Sequence, residues 1–379
     1  MATNLDATKS ALVAEYRNDP QHAAGIERRL RINDTSMEFS NTSFQNIGKI
    51  GQVVEVDDEI FVQVDQYDGY AATNSQQITT SSQSFPIQDA AKWDVTIYNT
   101  DQVQTVHDID NIVMGSALEQ QSRYMTRKRF EKIADANPLQ LAEVDISGGD
   151  ALGVSALSQA AGDDIFTRLQ SANEAIRGQG MSASDLKAAV PTKGISALVF
   201  SQYINNGTEG ANGVNARGEV GMLANTRLFD SIDTPKTRKD YNATVNGAAA
   251  KGKQVLTLTS AAVAPMVNDL FTVGGIEYRV AAAGPTNVVG DYQVFLERPL
   301  EADVADATAL TVSGYTHEHI VFAKGKPLSS VVQKNFSLRY NELEDLFADR
   351  YKSMTLFDSF MTVMGQRSCV LIPVKVRDY

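Results

Sequence analysis

The sequence has one cysteine, one tryptophan and no apolar run long enough to cross a membrane, and each shortage removes a class of protein. Cys369 alone excludes intrachain disulfides and points to synthesis in a reducing cytosol. A membrane span needs about 20 consecutive apolar residues, and the 43% hydrophobic content is spread too evenly to supply them. Met1 to Pro20 carries acidic residues and no hydrophobic segment, so no signal peptide is expected. Positive charge is also short, with 34 Lys and Arg against 46 Asp and Glu for a net −12. A chain without a basic face grips phosphates poorly, which argues against sequence-specific reading of nucleic acid.

Catalytic signatures are equally scarce. Gly148-Gly149-Asp150-Ala151-Leu152-Gly153 lacks the strand-then-helix setting of a dinucleotide fingerprint and reads as a linker. Lys251-Gly252-Lys253 has no upstream glycine scaffold for a P-loop. Ser201 follows an apolar run without the glycines of a nucleophile elbow. Asp163-Asp164 reads as a helix cap, since adjacent residues on a helix point apart. His317 and His319 could share one strand face as metal ligands, but no third ligand is signalled and a solvated junction is expected there. No catalytic residue, metal or cofactor is therefore expected, and a hydrolase built on those two histidines is the alternative from the enzyme class.

What is present is organisation. Asp108 to Ala136 reads as one long helix, about 40 Å at roughly 1.5 Å per residue, stopped by Asn137-Pro138. Its apolar positions Ile109, Ile112, Val113, Ala117 and Ile133 make only a partial stripe, so it reads as a half-exposed beam touching several neighbours. Five basic residues, Arg123, Arg127, Lys128, Arg129 and Lys132, crowd its second half against Glu131. Gly51 to His107, in contrast, holds nine acidic residues and only Lys92 for a balance of −8.

Before the helix, residues 1–44 form a polar arm with too few apolar positions to fold alone. Gly51 to Tyr98 reads as one long hairpin, with Ile60 to Val64 and Trp93 to Tyr98 as its two alternating arms. Its tip, Gln66 to Ser84, is almost wholly Gly, Ser, Thr, Gln, Asn and Tyr, a length that is uncommon unless it binds something. After the helix, the pattern predicts a helix over Asp163 to Arg177 and a short capped helix near Ser182 and Asp185. It also predicts a buried strand over Ile195 to Phe200, a strand over Thr226 to Phe229 and a charged turn over Pro235 to Asp240. Short β runs at Val255 to Thr259, Leu270 to Val273, Ile276 to Ala281, Tyr292 to Leu296 and Ala309 to Val312 predict a small barrel or sandwich inserted in a mixed domain. The final run, Val370 to Val376, is expected to rejoin the sheet holding Ile195 to Phe200.

This order of parts resembles the major capsid proteins of tailed double-stranded DNA phages, the Hong Kong 97-like fold. It is most similar to the coat proteins of short-tailed Salmonella-type phages, which carry an inserted β-barrel. The likeness is carried by Val190-Pro191 with Ile195 to Phe200 and Tyr203, and by Gly218 to Phe229 with Ser231. Asn268-Asp269-Leu270-Phe271-Thr272-Val273-Gly274-Gly275-Ile276 and Gly365 to Val374 carry the rest.

The resemblance implies an α+β fold divided into an N-terminal arm (1–44), hairpin and peripheral strands (45–107) and spine helix (108–147). An axial part (148–240), an inserted barrel (241–316) and a return (317–379) complete it. It further implies assembly into hexamers and pentamers that enclose double-stranded DNA in a virion, built in the host cytoplasm. Scaffolding and portal proteins are the implied partners, with room for a decoration protein. Some relatives cross-link their shells through a lysine near the hairpin tip; Gln66 to Ser84 contains none, so covalent cross-linking is not expected. The expected subunit interface sets the hairpin acids Asp57, Asp58, Glu59, Asp65 and Asp68 across a neighbour's Arg123, Arg127, Lys128, Arg129 and Lys132. A cellular encapsulating compartment of the same fold and a carbohydrate-binding barrel are the remaining alternatives.

Overall fold

A computed structural model describes residues 35–42, 53–57, 82–98, 109–147, 158–199, 201, 219–223, 225–259, 261–343 and 348–377. The chain is α+β. A 3-10 turn at Thr35–Phe39 leads into β1 (Ser40–Asn41), followed by β2 (Val53–Asp57), β3 (Ser82–Pro86) and β4 (Asp89–Tyr98). The long helix α1 (Ile109–Asp135) comes next, then β5 (Leu139–Gln140), β6 (Val144–Asp145) and α2 (Gln159–Gly178). Strand β7 (Leu186–Val190) feeds α3 (Thr192–Val199), followed by β8 (Glu219–Leu223) and β9 (Thr226–Asp230). Six strands then build a barrel: β10 (Lys236–Val245), β11 (Val255–Thr259), β12 (Leu270–Val273), β13 (Ile276–Pro285), β14 (Tyr292–Leu296) and β15 (Ala309–Lys324). The chain closes with β16 (Leu328–Leu343), β17 (Ala348–Met361), a helical turn at Val363–Arg367 and β18 (Cys369–Lys375).

Helix α1 ends where expected: Asn137 takes a left-handed φ of 51° and Pro138 cannot continue the ladder. Its buried stripe is Leu118, Gln121, Ser122, Met125, Thr126, Arg129, Phe130 and Ile133, spaced three and four residues apart. Of the expected apolar positions whose side chains are described, only Ile133 lies in it and Ala117 is half-buried. Leu118, Met125 and Phe130 escape the apolar pattern because the four polar members break up their periodicity. The polar members are matched rather than exposed. Gln121 receives Trp93 Nε1 (3.0 Å) and donates to Thr355 Oγ1 (2.6 Å). The helix thus lies against a four-strand sheet ordered β1-β16-β17-β4.

The central sheet runs β8-β9-β7-β15-β18, with β5 and β6 added in parallel to β18. Helices α2 and α3 cover one face. Ile165, Leu169, Ala172 and Ile176 of α2 pack onto Ala188, Val190, Phe322, Val370 and Ile372 in one core. Gly162 lets α2 and α3 touch, because a Cβ there would collide with the Ala197 carbonyl. The barrel closes through β10–β15 pairing around its own core of Tyr241, Leu258, Phe271, Tyr278, Val294 and Val312, among others. Gly274 and Gly275, at φ 59° and 79°, make the two-residue hairpin between β12 and β13.

Several sequence-based expectations change. The run from Ile195 to Val199 is not a strand: Thr192–Val199 is helical, Phe200 lies outside the described residues, and the buried strand lies earlier at Leu186–Val190. A short apolar run fits either form. Pro191 just ahead favours a helix start, and at Gly194 a Cβ would meet Val190 Cγ1 at 2.9 Å, too close to fit without a shift. The capped helix expected near Asp185 is a turn into β7, with Asp185 at φ 56°. Pro235 to Asp240 is not a turn, because β10 begins at Lys236 and the charged run Lys236, Arg238, Lys239 and Asp240 lies along exposed and half-buried positions of a barrel strand. Val370 to Val376 rejoins the sheet holding Leu186–Val190, through β15. Finally, Trp93 to Tyr98 pairs with β17, while the described hairpin stem is Val53–Asp57 on Ser82–Pro86. Ile60 to Val64 lie outside the described residues.

Candidate assembly surface

The residues that most resembled catalytic groups are tied into structure. Asp163 does not cap α2; Ser158 does, its Oγ accepting from Ala161 N (3.2 Å). Asp163 instead accepts from Ser201 Oγ (2.7 Å), fastening α2 to the chain leaving α3. His317 and His319 share a strand face but have different partners, Glu143 at 3.0 Å and Thr237 at 2.8 Å. The junction they mark is buried at His319 and more open at His317, whose partner Glu143 is exposed. Burial first, then His317 and Lys236, push His319 down to about 4. No group of three His, Cys, Asp or Glu among the described residues is placed to hold a metal ion. Gly148 to Gly153 lie outside the described residues.

The five basic residues of α1 have partners within this chain. Arg123 and Arg127 reach Asp233 at 3.3 and 3.5 Å, and both reach Glu297 at the end of β14 at 3.6 and 3.5 Å. Arg279 approaches the same glutamate at 3.8 Å. Its own value falls to about 10 because burial and the neighbouring Arg127 both oppose its charge. Arg129 is 1% exposed; it donates to Ser330 Oγ (3.2 Å) and Ser36 Oγ (3.3 Å) and lies over the Phe357 ring. It therefore has almost no surface to offer another chain. Lys132 bridges Asp358 (3.2 Å) and Asp89 (3.5 Å), and Lys128 pairs with Glu131 (2.8 Å). Those two lysines keep 35% of their side-chain surface in solvent. On the hairpin, Asp57 closes β2, and Asp58, Glu59, Asp65 and Asp68 lie outside the described residues.

The chain is also charged where barrel meets body. Asp269, 0% exposed, accepts through Oδ2 from Met266 N (2.9 Å), Tyr241 Oη (2.9 Å) and Arg377 (3.2 Å). Burial lifts its carboxyl above the ordinary value against those donors. Glu318 pairs with Lys236 at 2.6 Å. Burial pulls Glu318 up, yet Lys236, Lys193 and Tyr315 together leave it below the ordinary carboxylate value. Lys193, in the first turn of α3, is pushed down to about 8, chiefly by burial. Sequence reasoning found Asp269 only as part of a turn motif and missed Lys236, Glu318 and Arg377 as its surroundings. Their partners lie far apart in sequence, 82 residues for Lys236 and Glu318 and 108 for Arg377 and Asp269.

A long helix on a small sheet, a central sheet drawn from the middle and the C-terminal end of the chain and a barrel rooted in that sheet together define the Hong Kong 97-like capsid fold. Solved structures share it along most of their length. The chain is similar to a Mycobacterium phage Che8 structure (12% identity, TM-score 0.54, 90% of this chain and 91% of that one). It is similar to the capsid structure of cyanophage P-SCSP1u (12% identity, TM-score 0.55, 89% and 87%). A third is the asymmetric unit of the bacteriophage PhiM1 mature capsid (13% identity, TM-score 0.53, 90% and 87%). No protein-family model matches the chain, and no curated protein does.

Proposed function

We propose that this chain is a major capsid protein that assembles into hexamers and pentamers of an icosahedral phage head enclosing double-stranded DNA. The observation that carries this reading is a shared fold over about nine-tenths of the chain with phage capsid structures. The net charge of −12 suits a container, because a wall that attracted phosphates would impede packing. Scaffolding and portal proteins are its proposed assembly partners, and the host cytoplasm its proposed assembly site. The barrel corresponds in this proposal to the inserted domain of short-tailed phage coat proteins.

The proposed contact between subunits lays the acidic hairpin (Asp57, Asp58, Glu59, Asp65, Asp68) over a neighbour's spine helix. Lys128 and Lys132 are its principal outward cations, since Arg123, Arg127 and Arg129 are engaged internally. Each exposed pair contributes only about 0.2–1 kcal/mol, so the effect lies in register and salt dependence.

Negative-stain microscopy of the expressed chain, with a scaffolding protein supplied, is the test. Closed shells are expected, and a compact monomer at high concentration defeats the assignment. Lys128→Glu with Lys132→Glu should weaken assembly most at low salt; unchanged assembly and salt dependence would remove the docking contact alone.

A further inference from the structure

The segment Thr35–Asn41 is held by the body much as a bound peptide is held. Phe39 is 0% exposed and sits edge-on between Phe130 of α1 and Phe229 of β9, with ring centroids 5.9 and 6.0 Å away. Arg129 donates to Ser36 Oγ (3.3 Å) across 93 residues of sequence. Lys187, itself 3% exposed, donates to the Glu38 carbonyl (3.0 Å) across 149, and the Glu38 carboxylate lies 3.8 Å from the same ammonium. Ser40 and Asn41 add a parallel strand to β16 opposite Leu328 and Ser329. Ser40 Oγ donates to the Ser36 carbonyl (2.8 Å), so the segment also holds its own bend.

The receiving site is built without this segment. Its walls are α1, β7, β9 and β16, packed with β15 and β18 through Ile133, Ala189, Val321, Leu328 and Leu371. Two buried cations each reach an acceptor on the segment as well as one on the body (Ser330 for Arg129, Asp185 for Lys187), and an aromatic anchor fills the space between two sheets and a helix. An aromatic in a desolvated pocket, ringed by directed hydrogen bonds, is how a peptide hot spot is organised.

We infer that this socket is a peptide-binding site for the pattern Ser-x-Glu-Phe-Ser, filled here by the chain's own residues 36–40 and open to the same segment of a second copy. Covalent linkage raises the effective concentration of the chain's own segment. Close packing in a shell supplies a comparable concentration from a neighbour, and this part rests on the capsid reading.

The test uses the full-length Phe39→Ala chain, whose own segment has lost its anchor, and a fluorescent peptide spanning residues 35–42. Saturable binding is expected by anisotropy. It should be at least about tenfold weaker for a peptide carrying the same alanine, and for the wild-type chain, whose own segment competes. Equal binding of the two peptides, or no binding, overturns the site. Should Phe39→Ala fail to fold, refolding with excess peptide decides. Near-UV dichroism recovered by the wild-type peptide and not by the alanine peptide supports the site, and recovery by neither overturns it.

For exchange between copies, Asn41→Cys chains are assembled with Ser329→Cys chains and oxidised. An interchain disulfide is expected, and shells lacking it overturn exchange. Failure to form shells at all counts against the capsid reading and leaves the peptide result to stand alone.

Discussion

The barrel is a closed β structure and the central sheet an open one, each with its own apolar core, and they are put together in opposite ways. The barrel core draws on Tyr241 to Val312 without interruption. The central core needs Val144, the α2–α3 stretch, Leu228, Ile320 and Val374, so it cannot form until nearly the whole chain is available. Local closure makes the barrel the candidate for early folding, because loop-closure entropy is met over short distances. The central sheet, and the Phe39 socket beside it, must wait for the C-terminus.

The sharpest way to break that comparison is at the joint. Asp269→Ala leaves Arg377 buried against Tyr241 and Tyr315 without its carboxylate, a loss of about 3–5 kcal/mol. Thermal melts should show both regions destabilised; a fall confined to the barrel would mean the joint is not shared. Leu258→Ala cuts only the barrel core and should cost about 2–5 kcal/mol. Hydrogen exchange should then quicken in β11 and β14 while β7 and β18 keep their protection.

The next effect is a pH dependence on the side of the central sheet. His319 sits near 4 in the folded chain against an ordinary 6.5, so between those values the unfolded chain takes a proton that the folded chain refuses. Its stabilising contribution is complete above about pH 6.5 and is lost as pH falls towards 4, a difference on the order of 3 kcal/mol. Urea midpoints followed across that window should slope downward, and His319→Gln should flatten the slope. The smallest effect belongs to the surface of α1. Glu131→Ala removes the Lys128 partner and should cost no more than about 0.5 kcal/mol, with no change in either core.

The same contrast explains what could be read before any coordinates. Barrel strands such as Val255–Thr259 and Tyr292–Leu296 announced themselves, because one face of each is buried and the turns between them carry Gly274-Gly275 or Gly290. Leu186–Val190 hid because it is buried on both faces and too short to show a period, and its neighbour Thr192–Val199 took the strand assignment instead. On α1 the charge cluster was plain but its partners were not: Asp233 and Glu297 lie 106 or more residues away, and nothing local in sequence marks them. The Phe39 socket left no signal, since a lone aromatic in a polar segment reads as loop.

One strand crosses the line between the two regions. Residues 309–318 of β15 pair with β10 in the barrel and residues 317–324 pair with β18 and β7; the strand runs through, with one bulge at Thr316 in the β10 ladder. The barrel is therefore a rigid lever and not a pendant: it cannot swivel without shearing the β18 register. Length can be added or trimmed at the far tips, such as 286–290, but a single residue gained or lost within β15 would throw the side chains of one core out of phase with those of the other unless a bulge like that at Thr316 took it up.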